Sequence, residues 1–95
     1  MRFEWDESKN KINIKKHGID FQDVTEVFDG PMIVNIDDRY DYGETRLIGF
    51  GWMRQIVVLV VHVEIDDDTI RILSARKANR YERKRFEKEI KNRLG

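Results

Sequence analysis

Ninety-five residues with no internal repeat or low-complexity tract make one domain, residues 1–95, and exclude two independent cores. The absence of cysteine excludes a disulfide framework and a thiolate metal site and favours the cytoplasm; Met1-Arg2-Phe3-Glu4-Trp5-Asp6 contains no apolar leader. The longest apolar run, Ile56 to Val61, falls far short of the roughly 20 residues of a membrane span, and a net charge of zero argues against a general nucleic-acid binder.

Along the chain the first element is a short strand, Arg2-Phe3-Glu4-Trp5, in which polar and apolar residues alternate. Asp6 then caps a helix to about Lys16, and Gly18 ends it in the left-handed conformation that a C-terminal residue needs. Lys15, Lys16 and His17 place positive charge at the negative end of the helix dipole, which by itself accounts for that cluster. Asp20 caps a second helix, with Ile19 placed to staple onto Val24 and with Phe21, Val24, Val27 and Phe28 as its buried stripe.

Gly30-Pro31 breaks that helix, and the apolar period changes from helical to alternating. Strands are expected over 32–36, 45–52, 55–65 and 69–75, three of them forming an antiparallel meander. The run Ile56 to Val61 is apolar on both faces, as in a central strand covered on both sides. Between the first two strands, the loop Asp37 to Gly43 is too long and too aromatic for a minimal turn. The last element is a helix over 80–94, with Asn79 and Glu82 as a capping pair and a narrow apolar side of Tyr81, Phe86, Ile90 and Leu94. So narrow a stripe implies weak docking, or docking on another chain. The fold class is α+β: an antiparallel sheet of about four strands against N-terminal helices, with a basic C-terminal helix.

Charge separates along this order. Residues 69–95 hold ten Lys/Arg and three Asp/Glu, whereas residues 1–68 hold eight and fifteen. An acidic body with a basic end suits a partner that covers that end. On the last strand, Arg71 and Arg76 lie on opposite faces unless the strand bulges between them. If Asp67 and Asp68 form a two-residue turn, Glu64 pairs across from Arg71 and His62 across from Leu73, so one face collects His62, Glu64 and Arg71. A longer turn puts Glu64 opposite Ile70 instead. Each of these residues also has a purely structural reading: a cross-strand ion pair for Glu64 and Arg71, a packed strand histidine for His62, and a helix-end charge for His17. Arg76 and Lys77 are harder to assign so, because nothing local calls for both charges.

The stretches Phe3-x-Trp5-Asp6-x-x-Lys9, Asn13-x-x-Lys16-His17-Gly18-Ile19-x-Phe21, Val27-Phe28, Asp37-Asp38-Arg39-x-Asp41-Tyr42-Gly43-Glu44-x-Arg46 and Arg71 to Ala78 together resemble the BrnT toxins. The resemblance runs from end to end and implies a RelE-like ribonuclease fold, metal-independent RNA cleavage that inhibits growth and translation, and neutralisation by a BrnA-type antitoxin. It implies that operator DNA is met only through the antitoxin, that RNA is the substrate, free or as ribosome-associated mRNA, and that no metal or cofactor takes part. Cleavage of this kind requires the 2′-hydroxyl to attack the adjacent phosphate, charge on the phosphoryl oxygens to be stabilised, and the leaving 5′-oxygen to be protonated. Phosphate stabilisation is carried to Arg71 and Arg76, and proton transfer to His17, His62 or Glu64. Lys16, Lys77 and Arg80 are left to hold the RNA backbone. His17, Arg71 and Arg76 match the family motif, whereas His62 and Glu64 rest on strand geometry. Two alternatives stand beside this reading: a non-catalytic nucleic-acid or protein interaction module that works through its basic C-terminal helix, and a toxin-like fold that has lost its activity.

Overall fold

Asp6 starts the first helix as its position predicts. Its carboxylate accepts the Lys9 amide, and α1 runs over Glu7–His17 to a left-handed Gly18 whose amide donates to Ile14. The computed structural model describes residues 1–94 and adds β1 (Arg2–Glu4), α2 (Phe21–Val24), a 3-10 turn (Thr25–Asp29), β2 (Ile33–Asp37), β3 (Arg46–Met53), β4 (Ile56–Asp66), β5 (Thr69–Lys77) and α3 (Arg80–Leu94). The second helix is shorter than its apolar stripe suggests. Val24, Thr25 and Val27 are β-branched and favour helical geometry poorly, and the segment tightens into the 3-10 turn after one α-helical turn.

The strands form one mixed sheet in the order β1-β5-β4-β3-β2. This corrects the expected antiparallel sheet of about four strands: β2 to β5 do make an antiparallel meander, but β1 joins β5 in parallel as a fifth strand. A parallel neighbour needs a long crossover, and here the crossover is everything from α1 to β4.

Alternation along β4 divides the core between the two faces. Val58 and Val60 face α2 and the 3-10 turn and pack in a cluster with Phe21, Val24, Val27 and Ile72; Phe3, Trp5 and Phe28 border it. Fully burying a side chain such as Phe21 contributes about 1.5 to 3 kcal/mol. Two glycines make room on this face. A Cβ at Gly51 would stand 2.5 Å from Val27 Cγ1, and one at Gly49 would stand 2.6 Å from Met32 Cε, so β3 carries no side chain where Val27 of the 3-10 turn and Met32 beyond it pack on the sheet. On the other face Val57 packs with Phe86, Ile90 and Ala78, and the Trp52 ring meets Phe86 edge-on at 4.8 Å. The C-terminal helix therefore docks on its own sheet through Phe86 and Ile90, while Tyr81 and Leu94, the outer ends of its expected stripe, stay exposed. Its capping pair forms as read: Asn79 Oδ1 accepts the Glu82 amide and Glu82 accepts that of Asn79.

The β3–β4 turn is two residues, Arg54 and Gln55, both with positive φ. That geometry ordinarily selects Asn-Gly. Arg54 is held in it by its amide donating to Glu26 at 2.6 Å and by an ion pair with Asp23 at 2.8 Å.

Candidate active site

The β4–β5 register decides which charged residues meet. Asp67 and Asp68 do form the two-residue turn, but Ile65 is an extra residue before it, so Glu64 faces Ile70. A second irregularity follows: His62 pairs with Ile72 while Val61 pairs with Ser74, which leaves Leu73 as a bulge. The expected Glu64–Arg71 pairing is thereby corrected, and the exception allowed for a bulged strand is met. Arg71 lies opposite Val63 rather than Glu64, and its ion pair, at 3.0 Å, is with Glu4 of β1. The bulge also puts Arg71 and Arg76 on one face, because their partners Val63 and Leu59 are an even number of residues apart on β4. Four residues of strand span about 13 Å, too far for both arginines to hold one phosphate.

Around Arg76 the sheet face is open. Ile48 and Phe50 of β3 with Leu59 and Val61 of β4 make the apolar floor of a groove of about 610 Å³. Lys16 and His17 at the end of α1, Arg76 on β5, Arg39 in the loop after β2, and Glu82 in the first turn of α3 line its rim. The end of α1 is set there by Asn13. Its buried amide donates to the carbonyls of Ile19 and Ala75 and accepts the Ala75 amide, so it takes the place of a neighbouring strand beside the residue that precedes Arg76. Asn10 does the same for the next loop, accepting the Phe21 amide and donating to Asp20.

Arg76 is gripped along one edge. Its Nη1 and Nη2 donate to the two Glu82 oxygens at 2.8 and 2.9 Å, and Nε has no partner among the described residues. A guanidinium has five N–H donors, so an edge remains that can take two phosphate oxygens. Glu82, hydrogen-bonded to Arg76, is pulled below the usual carboxylate range and is ionised at neutral pH. Within the groove, Glu82 thus stands without a proton, though its pairing with Arg76 makes it a weaker base than a free carboxylate, and the His17 ring is exposed to solvent.

The other expected site residues lie elsewhere. His62 is 2% exposed on the opposite face, its ring edge-on to Phe28 at 5.1 Å and its Nδ1 3.2 Å from the Val60 carbonyl; burial lowers its affinity for a proton. Glu64 is exposed near the β4–β5 turn, and Lys77 and Arg80 are exposed beyond the rim of the groove. Two groove residues stand beyond those expected of the site: Arg39, which the sequence places in the BrnT-like motif without a role, and Glu82, which it marks as a helix cap. The run Asp37-Asp38-Arg39 within the loop was the available signal for Arg39. Among the described residues no three His, Asp or Glu side chains gather as a metal site would require, and no helix is long and apolar enough to cross a membrane.

A search of curated proteins finds no significant match. Among solved structures the chain is similar to the Brucella abortus ribonuclease toxin BrnT, with a TM-score of 0.65 and 28% identity over 84% of this chain and 99% of that one. The family model described as the ribonuclease toxin BrnT of type II toxin–antitoxin systems matches residues 5–82, the stretch that holds strands β2 to β5, the groove floor and all five rim residues. This chain belongs to the BrnT family of ribonuclease toxins, whose members act on RNA and are paired with a protein antitoxin.

Proposed function

We propose that the chain is a metal-independent endoribonuclease of RelE-like fold that works in the cytoplasm, halts translation by cutting RNA, and is silenced by a BrnA-type, DNA-binding antitoxin through which alone it meets operator DNA. The observation that carries this reading is the groove: an arginine with a free edge, an ionised carboxylate and an exposed histidine line an apolar floor wide enough to seat a nucleobase.

In this mechanism a strand of RNA lies along the groove, and Arg76 takes two oxygens of the scissile phosphate. Glu82 accepts the proton of the attacking 2′-hydroxyl, and His17 gives one to the departing 5′-oxygen, leaving a 2′,3′-cyclic phosphate and a free 5′-hydroxyl. Lys16 holds the backbone beside the cut, Lys77 and Arg80 extend the basic track, and Arg71 contacts a neighbouring phosphate rather than the reacting one. His62 and Glu64 take no part.

Incubation of the purified chain with RNA in excess EDTA tests cleavage and metal independence together. Arg76→Ala should lower cleavage per folded molecule by about 10² to 10³, the usual cost of removing a contact to developing charge. It should shift the unfolding midpoint little, since a partly exposed ion pair contributes about 0 to 1 kcal/mol. RNA that stays intact with folded wild-type chain, or an Arg76→Ala variant that cleaves normally, rejects the assignment. The exposed basic surface of α3 favours one competing reading, a module that binds without cutting; tight RNA binding with no product in the same assay would establish it.

A further inference from the structure

Within the loop that joins β2 to β3, Asp37-Asp38-Arg39-Tyr40-Asp41-Tyr42-Gly43-Glu44-Thr45-Arg46, nothing is assigned a task by the mechanism above, although the segment is tightly built. Asp37, the last residue of β2, is 5% exposed and is its hub. Arg39 donates to both of its carboxylate oxygens, Nε to Oδ1 and Nη2 to Oδ2, each at 2.8 Å, and the Tyr42 hydroxyl adds a bond at 3.1 Å. The Arg46 guanidinium lies over the Tyr42 ring, 4.0 Å from its centre, and pairs with Glu44. Gly43, in the left-handed conformation with φ of 72°, turns the chain back, its amide donating to Asp41.

This construction does not bury Arg39. Its side chain is 63% exposed, and it stands on the rim of the groove across from the end of α1. It is also close enough to Arg76 to work weakly against that arginine's charge, whose main support is Glu82. Two cations that repel one another are thus brought toward a shared space, each fixed along one edge by its own carboxylate and each with donors left over. On Arg39 the unused donors are the two N–H groups of Nη1 and one of Nη2. A structural ion pair at the end of a strand requires no such convergence; a bound polyanion does.

We propose that Arg39 is a second phosphate-binding arginine of the groove, holding a backbone phosphate of single-stranded RNA next to the one at Arg76, and that Asp37 is its positioning residue. The inference rests on the groove's being the RNA site. Asp37 sets the plane of the Arg39 fork, Tyr42 fixes Asp37, and the loop serves as the wall that places the strand against the apolar floor. Arg39 acts in holding substrate rather than in the bond change, so its loss should raise KM and leave kcat near its wild-type value.

The test uses the full chain and an uncleavable probe, a 2′-O-methyl RNA oligonucleotide, titrated over a range of salt concentrations, together with cleavage of the matching unmodified RNA. Arg39→Gln should weaken probe binding about tenfold. It should also flatten the dependence of log affinity on log salt by about 0.7, the value of one single-strand phosphate contact. KM should rise by the same factor, and circular dichroism should be unchanged. Arg39→Lys, which keeps the charge but lacks the fork, should recover part of the affinity and the whole of the salt slope. Tyr42→Phe, which leaves every charge in place, should produce a smaller loss of affinity with no change of slope. If folded Arg39→Gln binds the probe with wild-type affinity and slope while Arg76→Ala fails to cleave, the groove remains the site and the role given to Arg39 is wrong. If the wild-type chain binds no RNA, both readings fall.

Discussion

The two histidines occupy opposite environments, and the difference has a measurable consequence. His17 lies exposed at the end of α1, whereas His62 is packed under Phe28, where burial, the largest influence on it, makes protonation harder than in the unfolded chain. The unfolded chain therefore takes up a proton at His62 near the ordinary value of about 6.5, while the folded chain still refuses it. Stability that depends on neutral His62 is complete above that pH and drains away as the pH falls below it. The unfolding midpoint should thus be lower at pH 5.5 than at pH 7.5, and His62→Gln should remove most of that difference while sparing cleavage per folded molecule. A variant that cleaves a hundredfold more slowly would return His62 to the active site. Asp37 behaves in the reverse sense: Arg39 holds its carboxyl far below the usual range, so its contribution persists until strongly acid pH. At this scale the family-like motif set His17 ahead of His62, but the residues alone did not show that His62 is buried on the far face. A strand histidine with Glu64 two residues on looks catalytic until the register shows which face it takes.

Of the elements, α1 is the one whose docking the apolar pattern does not explain. Ile12 and Ile14, the two apolar residues of that helix, are exposed to solvent, and its buried residues are Asn10 and Asn13. The helix is fastened by side-chain amides that complete backbone hydrogen bonds, a mode that hydrophobic periodicity cannot register. Asn13→Ala would leave the Ala75 amide and carbonyl and the Ile19 carbonyl buried without partners. At about 1 to 3 kcal/mol for each orphaned group, offset by relaxation and entering water, a loss of about 2 to 4 kcal/mol is expected in denaturant titration. Because α1 carries Lys16 and His17, cleavage by the remaining folded molecules should fall as well; unaltered stability would mean that the amide bridge holds nothing. Helix caps, by contrast, were legible from single residues: Asp6, Gly18, Asp20 and the Asn79–Glu82 pair all stand where their chemistry places them. The bulges at Ile65 and Leu73 were not, since no residue type marks them and each shifts every later pairing by one.

At the scale of the whole molecule, the charge split along the chain becomes a split in space. The basic last quarter supplies Arg71 and Arg76 to one face of the sheet, along with the outer surface of α3, where Arg83, Lys84 and Lys88 are exposed. An antitoxin that silences the enzyme has most to gain by covering this end, where charge and groove adjoin. Hydrogen exchange on complex formation should show protection at 74–80 and along α3; protection confined to residues 1–30 would exclude that placement. On the proposed reading, the sheet keeps its two sides apart in function as well as in packing. Stability draws chiefly on the cluster beneath α2 and the 3-10 turn, whereas the groove opens on the reverse, beside the smaller cluster under α3. A harmless yet fully folded form of the toxin is therefore within reach of one or two groove-side changes. A host poisoned by the native chain could then make the attenuated one in quantity, so that recognition by the antitoxin could be measured free of any injury to the cell that produced it.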